Sequence, residues 1–507
     1  MLAGHQIIAG RGEPGSGPVF RAVNPADAAT LAPDYASATP TQVDAACNAA
    51  RDAFPNFGNT APDQRASLLE AVAAEIEAVG EALIERAMDE TGLPEARLQG
   101  ERGRTTGQLR MFAELLRQGD AFKPVVDAAL PDRQPAPRPH LVRLNRPLGP
   151  VAVFGAANFP LAFSVAGGDS ASALAAGCPL VVKAHPGHPG TSEIVGRAIA
   201  RAVEACGLPG GVFSLLFDDG HAVGGALVQH PAIKAVGFTG SRRGGLALSA
   251  LATARPEPIP FHAEMGSINP VFFLPAALSA RPQGHAEAVA ASMQMGAGQF
   301  CTQPGLLVAI EGSALDAFAA SLAATVEQAV CQTMLTPGIF QAYQQAVERR
   351  SSTPGVMLLA RAGAPGQPNR CRPCLFAVDA GTFLADASLA EEIFGASSLL
   401  VRCRDADQMR DVARSLEGQL TATLQLENAD ESLARDLMPV LEGVAGRVLC
   451  NGYPTGVEVC AAMMHGGPYP ATTDGRTTSV GTAAMQRWLR PVCYQGLPDF
   501  LRPEAEG

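Results

Sequence analysis

The chain has 507 residues, of which 47% are hydrophobic and 17% are charged, a balance typical of a large globular protein with a substantial core. Its formal net charge of -11 at pH 7 argues against a binding surface for nucleic acid or for an anionic membrane. No apolar run approaches the ~20 residues that span a bilayer.

The amino terminus and the cysteines point to one compartment. The first ten residues, MLAGHQIIAG, lack a basic region followed by a long apolar core, so we expect no signal peptide. The 11 cysteines show no repeating spacing, which favours reduced thiols over a disulfide scaffold. We therefore expect a cytoplasmic protein.

Helices are predicted between residues 41 and 120. Thr41 followed by Asp44 resembles a capping box. Residues 65–92 carry apolar side chains at helical spacing and predict one helix, and residues 103–117 predict another. A proline-rich connector at 131–139 and a half-exposed strand at 140–147 follow.

The pattern changes at Gly149. Buried strands and helices alternate through 149–241, and a second alternating region covers about 268–460. Such alternation predicts parallel βαβ units and an α/β fold. Residues 483–504 predict a terminal strand and arm.

Two local patterns suggest metal or redox chemistry only weakly. Cys371 and Cys374 form a CxxC, but no second CxxC and no histidine pair accompanies it. The prolines of HPGHPG at 185–190 predict a stiff turn in which the imidazoles need not converge. We expect no metal.

A glycine-rich turn is the first candidate for a phosphate site. GxGxxG is absent after the first buried strand. Instead, GFTGSRRGG at 237–245 places Gly240, Ser241 and Gly245 where a strand passes into a helix, whose free N–H groups suit phosphate. A tight turn without a ligand is the alternative.

Five further segments occur in the order found in the aldehyde dehydrogenase superfamily, which the whole chain resembles. They are ANFP (157–160), VVKAHP (181–186), HAEMGSINP (262–270), GAGQFCTQPG (296–305) and EEIFG (391–395). The resemblance implies a Rossmann-like cofactor domain, an α/β catalytic domain and a small bridging segment that forms a homodimer or homotetramer. The implied ranges are 1–128 and 148–264 for the cofactor domain, 265–470 for the catalytic domain, and 129–147 and 483–507 for bridging.

Further segments are similar to one branch of that family, the 2-oxoglutarate semialdehyde (2,5-dioxopentanoate) dehydrogenases. They are FGAANFPLAFSVAGGD (154–169), NGYPTGVEV (451–459) and MHGGPYPATTDGRTTSVG (464–481). This likeness implies a small aldehyde substrate, use of NADP, with NAD possible, and a place in pentose, sugar-acid or hydroxyproline catabolism.

The family's catalytic roles fall on four residues. Cys301 matches the nucleophile that forms a thiohemiacetal. Asn158 and the Cys301 backbone N–H match the oxyanion donors. Glu264 matches the general base, which favours hydrolysis over transfer to coenzyme A. Lys183 matches the lysine that reaches the adenosine ribose.

The cofactor roles follow in the same way. Glu392 matches the carboxylate that binds the nicotinamide ribose, with Phe394 beside it. NAD-preferring relatives carry a glutamate where this chain has Pro186 after His185, so Lys183 is free to meet a 2′-phosphate. The other implied cofactor residues are Gly220, Gly224, Gly240, Ser241, Gly245 and Met265.

The substrate's far end needs a cation or several donors. Arg104 and Gln108 lie one turn apart on a predicted helix that lines the substrate tunnel in relatives. Arg104 is the candidate carboxylate receptor, with a surface salt bridge as the alternative. Phe159 is expected in the tunnel wall, and Ala166 stands where many relatives have tryptophan.

Three other functions stay open at this point. One is a broad-specificity or long-chain NADP-dependent aldehyde dehydrogenase, a second is an inactive structural relative, and a third is a cysteine hydrolase. No cation neighbours Cys301 in the sequence, so its activation must come from the fold or from the bound cofactor.

Overall fold

The computed structural model describes residues 2–119 and 122–501. Its strands are β1 His5–Ile8, β2 Arg11–Pro14, β3 Val19–Val23, β4 Thr30–Ala36, β5 Val125–Asp127, β6 Leu141–Pro147, β7 Val151–Phe154, β8 Leu180–Lys183, β9 Phe213–Leu216, β10 Ala235–Thr239, β11 Phe261–Glu264, β12 Val271–Phe273, β13 Leu306–Ile310, β14 Met357–Arg361, β15 Cys374–Asp379, β16 Ser397–Cys403, β17 Gln419–Gln425, β18 Ala445–Cys450 and β19 Leu489–Gln495.

The helices connect and cover these strands. They are α1 Pro40–Phe57, α2 Pro62–Ala78, α3 Glu81–Thr91, α4 Glu95–Gln118, α5 Gly168–Ala176, α6 Pro189–Ala205, α7 Ala222–Gln229, α8 Arg242–Thr253, α9 Pro275–Ala280, α10 Pro282–Gln294, α11 Ser313–Glu327, α12 Pro337–Ser352, α13 Ala380–Ala385, α14 Ala406–Ser415 and α15 Glu431–Val444. Short 3-10 helices cover Gly210–Val212, Met295–Gly298, Ala387–Ala390, Asn428–Asp430, Thr482–Trp488 and Asp499–Leu501. None of the described helices has the length and hydropathy needed to cross a membrane.

Two seven-stranded sheets carry the predicted α/β fold. The first has the order β11-β10-β7-β8-β9-β1-β2, and β7 to β11 run parallel within it. The second has the order β14-β15-β16-β13-β12-β17-β18, with only β14 antiparallel. Apolar side chains pack on both faces of each sheet, as parallel sheets require. The division of the chain into domains stays a prediction.

Smaller sheets complete the described chain. The strand predicted at 140–147 is β6, which pairs with β5 and with the terminal strand β19. Strands β3 and β4 form a separate antiparallel pair. Strands β1 and β2, which were not predicted, extend the first sheet beside β9.

Two helix boundaries differ from the prediction. The single helix expected over 65–92 is broken into α2 and α3 at Gly80, whose φ of 68° is left-handed backbone that ends a helix. The capping box lies two residues earlier than expected. Thr39, not Thr41, caps α1, and Gln42 is its reciprocal partner.

The carboxyl ends of the parallel strands place the candidate site. Phe154 of β7 pairs with Lys183 of β8, and Thr239 of β10 pairs with Glu264 of β11. All four residues therefore lie at one edge of the first sheet, where open α/β sheets bind their ligands. Glu264 also forms a bridge to Thr472, which follows the second sheet in the chain.

Candidate active site

A cavity of about 1050 Å³ opens at this edge of the first sheet. Its size suits a ligand as large as a dinucleotide. Most of the predicted site residues line it, namely Asn158, Lys183, His185, Pro186, Gly220, Gly224, Gly240, Ser241, Glu264, Met265, Cys301, Glu392 and Phe394. The structure thus brings together residues that are more than 230 positions apart. Four predicted residues, Phe159, Arg104, Gln108 and Gly245, are not among its walls.

The loop that carries Cys301 is tightly constrained. It follows α10 through left-handed backbone at Ala297 (φ 59°) and Gly298 (φ 71°). A Cβ at Gly298 would lie 2.2 Å from the backbone nitrogen of Ala396, so only glycine allows this approach. The Asn269 side chain, fully buried, donates to the Cys301 carbonyl at 2.8 Å. Asn269 lies in the HAEMGSINP segment, for which the sequence predicted no such anchoring role.

A histidine that was not predicted lies beside Cys301. His465 Nε2 lies 3.5 Å from Cys301 Sγ and 2.9 Å from Glu264 Oε1. The second Glu264 oxygen accepts a hydrogen bond from Ser479 Oγ at 2.8 Å. Oε1 itself is buried without a well-aligned hydrogen bond, so its contact with His465 is an ion-pair distance only. The fold thus places an imidazole beside the thiol, where the local sequence has no basic side chain.

Cys301, Glu264 and His465 form a buried group, the thiol cluster, and burial affects the protonation of its thiol and carboxyl groups. Burial, together with the negative charge of Glu264, raises the pKa of the Cys301 thiol well above its ordinary value. Burial would also raise the pKa of Glu264, but His465 and the hydrogen bond from Ser479 outweigh it and lower that pKa. Cys301 therefore rests as a neutral thiol beside an ionised carboxylate, and it needs a base before it can attack.

Asn158 is placed to donate to an oxyanion. It lies in the turn after β7 and is 9% exposed. Its Nδ2 donates to the Gln299 carbonyl at 3.0 Å, in the loop just before Cys301. An amide nitrogen carries two N–H groups, so this bond fixes the amide and leaves one donor for substrate.

Two side chains of α4 hold the Asn158 turn, and neither was predicted. Arg97 donates to the Asn158 carbonyl at 2.7 Å, and its guanidinium lies 4.6 Å from the ring centroid of Phe300. Glu101 accepts from the backbone N–H groups of residues 161 and 162 at 2.8 and 3.0 Å. The turn is thus tied on both sides to one helix.

Lys183 lines the cavity, as does the acidic residue Asp219. Lys183 Nζ donates to the Asp218 carbonyl at 2.8 Å. Burial lowers the pKa of Lys183, while Asp218 and Asp219 act in the opposite direction. Burial also lowers the pKa of His185 well below its usual value, so that ring is neutral. Because residue 186 is a proline, Lys183 faces no carboxylate from that position.

The turn before α8 presents a helix N-terminus to the cavity. Ser241 caps α8 by accepting from the Gly244 N–H at 3.2 Å. Arg243 lines the cavity, whereas Arg242 is paired with Glu417 at 2.7 Å on the surface. Gly245 lies one turn into the helix, where a Cβ would meet Met265 Sδ at 2.7 Å. Because glycine has no Cβ, α8 can pack closely against Met265.

Glu392 lies against the backbone of Gly266. A Cβ at Gly266 would lie 2.2 Å from Glu392 Oε2. Burial raises the pKa of Glu392 to about 7, although the backbone N–H of Ser267 acts against this shift. When ionised, its oxygens can accept hydrogen bonds from hydroxyl groups of a ligand.

Aromatic rings connect the thiol cluster to Arg104. The ring of Phe163 lies 6.1 Å from that of His465, and the Arg104 guanidinium lies 5.3 Å from the Phe163 centroid. Arg104 Nη2 is buried and has no hydrogen-bond partner. Burial lowers the pKa of Arg104, and a Cys301 thiolate would raise it. Arg104 is therefore not a surface salt bridge.

The other predicted substrate residues have different surroundings. Phe159 packs edge-on against Phe163 and Phe300, with centroids 5.3 and 5.2 Å away. Gln108 is 4% exposed, and its Nε2 would lie 3.2 Å from a Cβ at Gly168. Its amide therefore faces the beginning of α5.

The side chains of the CxxC motif and of the HPGHPG segment contact other protein groups. Cys371 and Cys374 are buried free thiols, and the Ala396 N–H donates to Cys371 Sγ at 3.4 Å. The His185 and His188 rings stack with centroids 5.4 Å apart, and His188 Nε2 lies 3.0 Å from the carbonyl of Ala156.

Comparisons with known proteins identify the family of the chain. The model of the "Aldehyde dehydrogenase family" matches residues 13–489. An alpha-ketoglutaric semialdehyde dehydrogenase 2 of Azospirillum brasilense is 53% identical over 506 residues, covering 100% of this chain and 96% of the relative. An alpha-ketoglutaric semialdehyde dehydrogenase of Acinetobacter baylyi is 47% identical over 503 residues, covering 99% and 95%.

Solved structures share the fold. A mutant of aldehyde dehydrogenase C from Pseudomonas syringae, in complex with NAD+ and octanal, has a TM-score of 0.82 at 24% identity, over 98% of this chain and 97% of that one. Betaine aldehyde dehydrogenase from Staphylococcus aureus with NAD+ has a TM-score of 0.84 at 19% identity, over 99% and 96%. The predicted fold class and enzyme class are confirmed, and the chain belongs to the aldehyde dehydrogenase family.

Proposed function

We propose that this protein oxidises 2-oxoglutarate semialdehyde (2,5-dioxopentanoate) to 2-oxoglutarate, and that it accepts NADP. Two relatives that match nearly its full length, at 53% and 47% identity, carry the name of this activity. The structural observation that carries the proposal is the Arg104 guanidinium, which is held near Cys301 with Nη2 buried and unpaired. A substrate carboxylate would satisfy that donor.

The first chemical task is to deprotonate the thiol. His465 Nε2 is 3.5 Å from Cys301 Sγ, so it is the base within reach. The imidazolium that results lies 2.9 Å from Glu264 Oε1, whose negative charge stabilises it. The thiolate then adds to the aldehyde carbon. Asn158 Nδ2 and the Cys301 N–H donate to the oxyanion that forms.

The second task is hydrolysis. When it is bound, the nicotinamide cofactor supplies the hydride acceptor, and an acyl group remains on Cys301. Glu264 Oε1 has no well-aligned hydrogen bond and points toward the thiol cluster. It can accept a proton from a water that attacks the thioester. Ser479 keeps the carboxylate in this orientation through its 2.8 Å bond to Oε2.

The cavity fits a nicotinamide dinucleotide. Glu392, against Gly266, would hold one ribose, and the N-terminus of α8 at Ser241 would face the phosphates. Lys183 would face the second ribose with no carboxylate at Pro186 to repel a 2′-phosphate. This arrangement supports use of NADP, with NAD as the weaker acceptor.

A homodimer or homotetramer in the cytoplasm completes the proposal. The small sheet of β5, β6 and β19 exposes apolar side chains, among them Val125 (50%) and Val126 (48%). Exposed apolar patches of this kind mark contact surfaces. Light scattering on the purified chain measures the stoichiometry directly.

One set of assays tests the activity. Reduction of NADP and NAD is followed with 2-oxoglutarate semialdehyde, succinate semialdehyde and an uncharged aliphatic aldehyde. We expect the highest kcat/KM with 2-oxoglutarate semialdehyde and NADP, and no activity in Cys301→Ala. Equal kcat/KM for the uncharged aldehyde would refute the substrate, and an active Cys301→Ala variant would refute the mechanism.

A broad-specificity or long-chain aldehyde dehydrogenase is the second candidate. The aromatic side chains of Phe159, Phe163 and Phe300 favour an apolar substrate. In that case kcat/KM should rise with the length of an uncharged chain, which the same assays would reveal.

A further inference from the structure

Three side chains at the thiol cluster have the composition of a metal site. The ligand atoms of Glu264, Cys301 and His465 all lie within 4.8 Å of one another. Glu264 and His465 are only 4% and 2% exposed. We propose that these three residues bind Zn²⁺, and that bound Zn²⁺ switches the dehydrogenase off.

The distances suit a tetrahedral ion. Zn²⁺ binds sulfur at about 2.3 Å, imidazole nitrogen at about 2.0–2.1 Å and carboxylate oxygen at about 2.0–2.2 Å. A tetrahedral angle then places sulfur and nitrogen about 3.6 Å apart, and nitrogen and oxygen about 3.4 Å apart. The structure has 3.5 Å from Cys301 Sγ to His465 Nε2, and 2.9 Å from that nitrogen to Glu264 Oε1. The third pair, Cys301 Sγ and Glu264 Oε1, lies within 4.8 Å, against about 3.6 Å in a tetrahedral site, so small side-chain movements would complete the site.

A buried carboxylate oxygen is turned toward the site. Glu264 Oε1 lies 2.9 Å from His465 Nε2 without a well-aligned hydrogen bond, while Ser479 anchors Oε2 at 2.8 Å. A buried carboxylate oxygen without an aligned hydrogen bond is costly, and a cation between the three ligands would satisfy it. The carboxylate is thus already turned toward the place where the ion would lie.

The charges balance on binding. The thiol of Cys301 must lose its proton to solvent, since the thiolate is the metal ligand. Thiolate and carboxylate then carry two negative charges, neutral His465 carries none, and the divalent ion neutralises the buried group. The complex occupies the nucleophile, its base and the general base at once, so no step of aldehyde oxidation can begin.

The donor set also selects the ion. Sulfur and nitrogen ligands suit Zn²⁺, whereas Mg²⁺ prefers six oxygen ligands. Three protein ligands leave one tetrahedral position for water. The site is therefore inhibitory, and it differs from a resident cofactor because the same three side chains are needed free for catalysis.

Binding is tested without aldehyde and without dinucleotide. The full-length protein is titrated with Zn²⁺ against a chromophoric chelator, and with Co²⁺ while the near-ultraviolet thiolate-to-cobalt absorption is recorded. We expect one ion per chain and one proton released. Cys301→Ala should lose the charge-transfer band, and His465→Phe should weaken Zn²⁺ binding by at least ~100-fold, because even indirect loss of ligand support costs 10–100-fold.

Controls separate this site from surface thiols and from misfolding. The variant Cys450→Ser/Cys460→Ser/Cys493→Ser lacks the exposed cysteines and should bind Zn²⁺ as tightly as the natural chain. Glu264→Gln, which preserves shape, should weaken binding by at least ~10-fold. Unchanged Zn²⁺ affinity in Cys301→Ala or in His465→Phe would overturn the proposal, as would loss of the bound ion in the triple variant.

The effect on activity rests on the proposed function, whereas the binding does not. Micromolar Zn²⁺ should abolish aldehyde oxidation, a chelator should restore it, and millimolar Mg²⁺ should leave it unchanged. If the enzyme acts on another aldehyde, the binding titrations still give their result. If Zn²⁺ binds and activity persists, the switch is refuted while the substrate assignment stands.

Discussion

Replacing Arg104 by leucine should separate charged from uncharged substrates. Arg104 Nη2 is buried without a partner, and its guanidinium lies over Phe163 in the ring wall that leads to His465. A hydrogen bond to a charged group contributes about 1.5–3 kcal/mol, and 1.36 kcal/mol is a factor of ten in rate. The variant should therefore lower kcat/KM for 2-oxoglutarate semialdehyde by ~10- to ~150-fold.

The same substitution should leave kcat/KM for an uncharged aldehyde unchanged and should leave the protein folded. Because Arg104 Nη2 has no hydrogen-bond partner in the free protein, its removal leaves no acceptor unsatisfied, and the unfolding midpoint should fall only by the small loss of the contact with Phe163. Arg110→Leu is the matched control, since Arg110 lies on the same helix and pairs with Glu77 at 2.7 Å on the surface. Steady-state reduction of NADP gives kcat/KM for 2-oxoglutarate semialdehyde and for the uncharged aldehyde. An equal loss for both substrates, or no loss for the semialdehyde, refutes the assignment.

Three further outcomes follow from the site. His465→Phe should slow alkylation of Cys301 by iodoacetamide at pH 7 by ~10-fold or more, because the base beside the thiol is lost; mass spectrometry of the Cys301 peptide measures this, and an unchanged rate contradicts it. Gly298→Ala should lower the free energy of unfolding by ~2–4 kcal/mol through its left-handed φ and the 2.2 Å approach to Ala396, whereas Gly100→Ala, with open space around it, should not. Burial raises the pKa of Glu392 to about 7, so the folded state keeps a proton that the unfolded chain releases. The contribution of Glu392 to the free energy of unfolding is complete below about pH 4.5 and is lost as the pH rises to about 7, by at most ~3 kcal/mol because the cavity admits water. Chemical denaturation over this pH range should show no such loss in Glu392→Gln. If the free energies of unfolding of the variant and the natural chain change in parallel with pH, the pKa shift is contradicted.

The residues in ordered motifs were predictable from the sequence. Cys301, Glu264, Asn158 and Glu392 were chosen because each matches a motif, and the structure brings them to one cavity. Their catalytic roles stay predictions until variants are measured. The motifs carry this information because they lie at strand ends and turns, where local sequence fixes local backbone.

The partners of these residues were not predictable. His465 is 164 residues from Cys301, and nothing local links a histidine in MHGGPYP to a thiol in GAGQFCTQPG. Arg97 and Glu101 likewise read as ordinary charged residues of a helix, although both contact the Asn158 turn. Even the break between α2 and α3 depends on one glycine in an otherwise helical pattern. Long-range contacts, rather than local preference, determine such features.

The thiol cluster is assembled from parts that are distant in the chain. Glu264 ends a strand of the first sheet, Cys301 precedes a strand of the second, and His465 follows the last strand of that sheet. No fragment that contains one sheet alone can hold all three side chains at 2.9 and 3.5 Å. Enzymatic activity is therefore a reporter of docking between the sheets. During gentle denaturation it should vanish before the circular dichroism of the helices changes.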